Sequence, residues 1–384
     1  MPVKRELYIF TLYYAIVYIS FSIYGSYISV YYLSRGLSIF QIGLLLAIGP
    51  ISSVIIVPMW AAISDRVKYK VTILKTVVLG SACAVLLYPL VSGFYATAVV
   101  TILFMVFYSS IQALGDAITV DKITRQGFKF TTVRMGGTIG YALLVIVEGN
   151  YFRAHINQMF FAASAFLLLT FLFACLIPKE NLHRPKAEKL HLRELFKNRT
   201  LVFILLFCLI MWVSVSFNSS FIGVYITKMH YNSFYIGLAM CTAALSEIPV
   251  LLFIQKKYLR FGAVNILIFG AFLMSLRLLL LFLATNIVMI IIAQAMQGVS
   301  YMTLHYSAIM FMNDEVPSHL KSTGQSLLAM AQAGLGSMLG SIGGGYVSGI
   351  TSISTVYGLL SILAFSLACA SLGIVVFTRK KARA

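Results

Sequence analysis

Apolar residues run along this chain in long unbroken blocks, separated by short polar turns. Twelve blocks recur, over 7–33, 39–63, 71–91, 95–120, 130–152, 156–177, 200–227, 232–255, 262–284, 286–312, 320–349 and 353–377. A helix needs about 20 apolar residues to cross ~30 Å of hydrocarbon, and each block reaches about that length. The runs are continuous rather than alternating, so they predict helices and not the strands of a transmembrane barrel. Lys4 and Arg5 precede a first run that is too long for a signal-peptide core and has no small-residue cleavage site. It is predicted as the first transmembrane helix.

The two halves of the pattern are related. Ile42-Gly43-Leu44 recurs as Ile236-Gly237-Leu238, Val71-Thr72-Ile73-Leu74 as Val264-Asn265-Ile266-Leu267, and the basic turn at Arg66 as that at Arg260. One shift, close to half the chain, accounts for all three. The expected architecture is therefore an all-α integral membrane fold of twelve transmembrane helices in two pseudo-symmetric six-helix bundles. Residues 1–177 and 200–384 form the bundles, and the polar stretch 178–199 is a cytoplasmic linker. Within it, Lys186 to Lys197 reads either as a short amphipathic surface helix or as disorder.

Composition agrees with a bilayer. The chain is 60% hydrophobic and 10% charged, whereas soluble domains carry roughly 25% charged residues. The net charge of +18 would point to nucleic acid in a soluble protein. Here Lys and Arg gather at the ends of alternate blocks, which is how topology is held, and both termini are predicted to be cytoplasmic. No nucleic-acid partner is implied. The five cysteines all lie inside apolar blocks without metal or disulfide spacing. No phosphate loop, metal cluster or nucleophile–base set is present, so neither an enzyme nor a cofactor is expected.

Four charges stand where lipid opposes them: Asp116, Arg134, Glu247 and Arg277. Such a residue costs at least ~2.5–3.5 kcal/mol on insertion scales and usually marks a pathway or a site. At ~1.5 Å per residue, Asp116 and Arg134 lie at similar depth, roughly 7–10 Å from one end of their blocks. A carboxylate and a guanidinium at one level can grip hydroxyl groups together, and Tyr141, two turns on from Arg134, can lie under a ring. The alternative is a structural salt bridge. Glu247 sits about 14 Å into its block and Arg277 some 10 Å higher, so direct contact between them requires tilt or water. Burial favours the neutral form of a carboxyl and a nearby arginine favours the charged form, which is the switch a proton carrier needs. His305, at about the depth of Glu247, is a further relay candidate, with simple packing as the alternative.

The turn Ala61-Ala62-Ile63-Ser64-Asp65-Arg66-Val67-Lys68-Tyr69-Lys70 resembles the signature of the major facilitator superfamily, with the glycines replaced by Ala61 and Lys68. The resemblance implies that Asp65 and Arg66 belong to a cytoplasmic gate. An acid at a helix C-terminus opposes the dipole, so Asp65 wants compensation from Arg66 or from another helix N-terminus. Over nearly the whole chain the sequence is similar to the lactose permease branch, which also holds nucleoside and aromatic-acid permeases. Arg134-Met135-Gly136 with Tyr141, Asp116, Ser246-Glu247 and Met274-Ser275-Leu276-Arg277 carry that likeness. It implies solute binding by Asp116, Arg134 and Tyr141, and proton coupling by Glu247 and Arg277. The branch's proton-carrying histidine and glutamate correspond here to Gln297 and Ser300. A basic residue corresponds to Gln294 and an acid to Asn218, so the proton route must be shorter or rerouted.

The expected function is proton-coupled uptake of a sugar or oligosaccharide by alternating access through a monomeric carrier in the cell membrane. The rivals are a nucleoside or aromatic-acid proton symporter and a drug–proton exporter. A facilitator without protons is the further alternative. Span eleven is glycine-rich, with Gly334, Gly336, Gly340, Gly343, Gly344, Gly345 and Gly349, which suits either a gliding gate helix or simple tight packing. Tyr24 and Tyr27 are cavity-lining candidates, while Tyr31 and Tyr32, near a span end, read as interfacial belt residues. Glu148, beside Arg153, is assigned no role.

Overall fold

A computed structural model describes residues 2–128, 130–178, 195, 197–317 and 320–381. Most of the expected surface helix at 186–197 lies outside the described residues, as do Lys129 and Arg383. The described residues form twelve long helices: α1 Pro2–Ser34, α2 Ile39–Arg66, α3 Lys70–Val85, α4 Phe94–Ile123, α5 Phe130–Phe152, α6 Met159–Leu176, α7 Arg199–Lys228, α8 Ser233–Phe261, α9 Ala263–Phe282, α10 Ile287–Glu315, α11 Thr323–Ile350 and α12 Ile353–Lys381. α4 bends at Ser109–Ser110, and α10 and α11 each contain a widened π turn, at Gly298–Met302 and Met330–Gly336. Eleven of these helices are long and apolar enough to span a membrane among the described residues.

The turns are tight and locally encoded. Ser38 and Gln41 form a reciprocal capping box at the start of α2. α8 and α9 are separated by Gly262 alone, whose φ of 77° is open to glycine at little cost.

The chain divides into two compact units. One comprises residues 1–187 with 226–241, the other 188–225 with 242–384. Within the first, α1 lies along α5 because Gly136 and Gly140 present bare backbone to it. A Cβ at Gly140 would fall 2.6 Å from the Ala15 carbonyl oxygen, and one at Gly136 2.7 Å from that of Thr11. α3 packs on α6, where the Ser164 hydroxyl donates to the Ala82 carbonyl at 2.9 Å. The second unit repeats both pairings. Gly336, Gly340 and Gly344 seat α11 on α7, a Cβ at Gly340 falling 2.6 Å from the Val213 carbonyl oxygen. α9 and α12 are clasped by Ser275 and Ser361, each donating to the other's carbonyl at 2.9 and 2.8 Å. Small residues at fixed spacing thus set the helix pairs in both units.

These glycines make a contrast that can be measured. Gly140→Ala and Gly340→Ala push a methyl into neighbouring backbone and should cost about 1–3 kcal/mol each. Gly343→Ala meets nothing within 4 Å and should be neutral or slightly stabilising. Thermal unfolding in detergent should place Gly343→Ala above the other two.

One aromatic reading is corrected. Tyr31 and Tyr32 are buried within the first unit and do not form a lipid-facing belt. Tyr31 packs on Phe160 with ring centroids 4.5 Å apart, and the Tyr32 hydroxyl meets Thr101 at 3.0 Å. Tyr88, stacked on Phe160 at 4.8 Å, completes the cluster. Their hydroxyls find partners inside, so nothing draws them to an interface.

Candidate functional site

In the first unit the glycine seam between α1 and α5 decides what Arg134 meets. Close approach sets Tyr14 and Tyr18, one turn apart on α1, beside Arg134 on α5 and Asp116 on α4. The Tyr14 hydroxyl donates to Asp116 Oδ1 at 2.6 Å. Arg134 Nη1 lies 4.0 Å from Asp116 Oδ2, at the outer limit of an ion pair. Arg134 Nε donates to the Tyr18 hydroxyl at 3.2 Å, and Gln112 Nε2 donates to the same oxygen at 3.3 Å. The Arg134 guanidinium also lies 5.9 Å from the Phe130 ring centroid.

The pair is held by other groups more firmly than by each other. The Arg134 side chain is 45% exposed and that of Asp116 27%. The cluster therefore presents an acceptor and a forked donor with spare capacity, which suits a ligand rich in hydroxyls. Tyr141 does not join it. Its hydroxyl meets Ser26 Oγ at 3.1 Å, farther along the same α1–α5 seam.

In the second unit Pro249 removes one backbone donor from α8, two residues beyond Glu247. Opposite, the π turn of α10 brings the Gly298 amide to Ser246 Oγ at 2.9 Å. That crossing presents Gln297, which donates to Glu247 Oε1 at 3.4 Å. The oxygen of the Gln297 amide is buried without a hydrogen-bond partner among the described residues. Arg277 is 1% exposed. Its Nε donates to the Ala293 carbonyl at 3.0 Å, and a terminal nitrogen donates to Gln294 Oε1.

Glu247 and Arg277 make no ion pair among the described residues, though each feels the other's charge. Gln294 and Gln297, three apart on α10, stand between them. Of the four positions where charge is missing relative to the resembled branch, Gln297 touches the acid and Gln294 the base. His305 lies flat on Tyr301, with centroids 5.6 Å apart and planes 6° apart, and 5.5 Å from Trp212.

The Asp65 carboxylate is compensated from the N-terminus of α3, by Lys70 at 2.6 Å, while Arg66 is exposed. A cavity of about 940 Å³ between α8, α9 and α10 is lined mainly by apolar side chains such as Val250, Phe253 and Phe269. It offers little to a polar solute.

Several contributors escaped sequence reasoning. Tyr14 and Tyr18 had a signal, two phenols four residues apart in an apolar span. Glu148 had one too, as a third acid within a span. The bond of Glu148 to Ser22, at 2.7 and 2.8 Å, had none.

The sequence model described as the MFS_1 like family matches residues 7–359. The maltose permease of Geobacillus stearothermophilus is 25% identical over 358 residues, covering 92% of this chain and 91% of that protein. The nucleoside permease NupG of Escherichia coli (strain K12) is 22% identical over 313 residues, covering 74% of this chain and 73% of that protein. The crystal structure of the nucleoside transporter NupG superposes with a TM-score of 0.85 at 18% identity, covering 98% of this chain and 99% of that one. That likeness is one of fold.

Proposed function

The chain belongs to the MFS_1 like family of multi-pass membrane transporters, and from that premise we propose that it takes up a sugar or short oligosaccharide together with a proton. The observation that carries this reading is the Asp116–Arg134 cluster. A carboxylate and a guanidinium 4.0 Å apart, ringed by Tyr14, Tyr18 and Phe130, match vicinal hydroxyls and the apolar face of a pyranose. The maltose permease likeness, which runs over most of both chains, supports the same solute class.

Glu247 is the proton carrier in this reading, with Arg277 setting its charge balance through Gln294 and Gln297. Tyr141 lines the solute path beyond Arg134. Asp65 and Arg66 belong to a gate on the cytoplasmic side, where the basic loops and both termini lie. The nucleoside reading draws on the NupG likeness and on the number of rings near Arg134.

Equilibrium binding of maltose, maltotriose, uridine and phenylpropionate to the purified protein decides among the solute classes. Saturable binding of a sugar is the expected result. Binding of uridine alone would replace the sugar by a nucleoside.

His305 is assigned to the proton path. His305→Phe keeps a ring on Tyr301 and removes the titratable nitrogens. The expected result is weaker gradient-driven accumulation with exchange kept, and full accumulation would take His305 out of the path.

A further inference from the structure

Three acids lie within the spans, Asp116, Glu148 and Glu247, and the function proposed above uses two. Glu148 is 7% exposed, and Ser22, its partner on α1, is fully buried. Ser22 Oγ stands 2.7 and 2.8 Å from the two oxygens of Glu148 and 2.8 Å from the Ile19 carbonyl oxygen.

Three acceptors thus surround one hydroxyl that has one proton to give. If Ser22 donates to Ile19, as serines within helices commonly do, the carboxyl must donate to Ser22. Otherwise a carboxylate and a serine oxygen face each other at hydrogen-bond distance with no proton between them. If Ser22 instead donates to Glu148, a carboxylate is left in the span with one neutral donor and no ion pair among the described residues, which is a costly state.

Among the described residues no cation forms an ion pair with Glu148. α1 contributes the Tyr27 phenol, which donates to the Val145 carbonyl at 2.6 Å. α5 itself contributes Tyr141, hydrogen-bonded to Ser26, and Arg153, in the turn just after it, is exposed. The start of α8 meets α5 through the backbone of Ser233 and Phe234 and through Gly237, none of which is ionisable.

We propose that Glu148 holds a proton in this conformation and is a second proton-binding site of the transporter. Its O–H donates to Ser22 Oγ, which donates in turn to Ile19. On release the proton passes to water, and Ser22 turns its O–H from Ile19 to the carboxylate. The protonation itself is independent of the function proposed above, while its use in transport rests on that reading.

Infrared spectra of the reconstituted protein test the first part. At neutral pH the wild type should show a protonated-carboxyl carbonyl band that Glu148→Gln removes and Ser22→Ala displaces. Spectra unchanged by both variants would overturn the proposal. Proton and solute fluxes measured together test the second part. Glu148→Gln should lower the number of protons moved per solute, and an unchanged ratio would remove Glu148 from the transport cycle. If the wild type moved solute with no protons at all, the coupling reading would fall, and the infrared result would still decide the state of Glu148.

Discussion

Arg134→Gln is expected to weaken solute binding by about 10–150-fold, with the protein still folded. The figure follows from losing hydrogen bonds to a charged group, about 1.5–3 kcal/mol, at a factor of ten per 1.4 kcal/mol. Arg134 is suited to this because its protein contacts leave donors over. Its Nε is taken by Tyr18 at 3.2 Å, and its nearest terminal nitrogen is 4.0 Å from Asp116. Asp116 is anchored separately by Tyr14. A ligand hydroxyl can enter between acid and base without breaking either anchor. Arg134→Lys should fail nearly as badly, since an ammonium lacks the planar fork. The opposing account makes the two residues a structural bridge. It predicts lost thermal stability with affinity unchanged, and binding and unfolding measured on the same preparation separate the two.

Glu247→Gln is expected to abolish accumulation against a gradient while leaving solute exchange intact. The glutamine copies a protonated carboxyl in shape and in hydrogen-bonding capacity but cannot release a proton. Exchange needs only the solute-loaded carrier to reorient, whereas accumulation needs the proton to leave. Glu247 is poised for this because its hydrogen bond from Gln297 is long, 3.4 Å, and because Arg277 is engaged by Gln294 and Ala293 instead. A tight Glu247–Arg277 ion pair would fix the charge, whereas the intervening amides leave it free to change. Accumulation by Glu247→Gln at the wild-type level would contradict this assignment.

The sequence made the twelve spans and the four intramembrane charges legible, because lipid imposes length and apolarity directly on the chain. Depth could also be counted: it set Asp116 level with Arg134, and it made contact between Glu247 and Arg277 depend on tilt or water. Rotation about each helix axis could not be counted. The place of Tyr14 and Tyr18 at the site depends on the α1–α5 seam, and Tyr141 turned to Ser26 for the same reason. The π turn at Gly298 was illegible because it arises from packing, as the Gly298 amide reaches Ser246 across helices. Tyr31 and Tyr32 were misread because position near a span end suggests an interface, while their hydroxyl partners lie on other helices.

Uptake into proteoliposomes, measured with and without an imposed pH gradient, is the most direct test of coupled sugar transport. Concentrative sugar entry that appears only when the outside is acidic, and vanishes with a protonophore, is the predicted result. Equal entry under both conditions would contradict it.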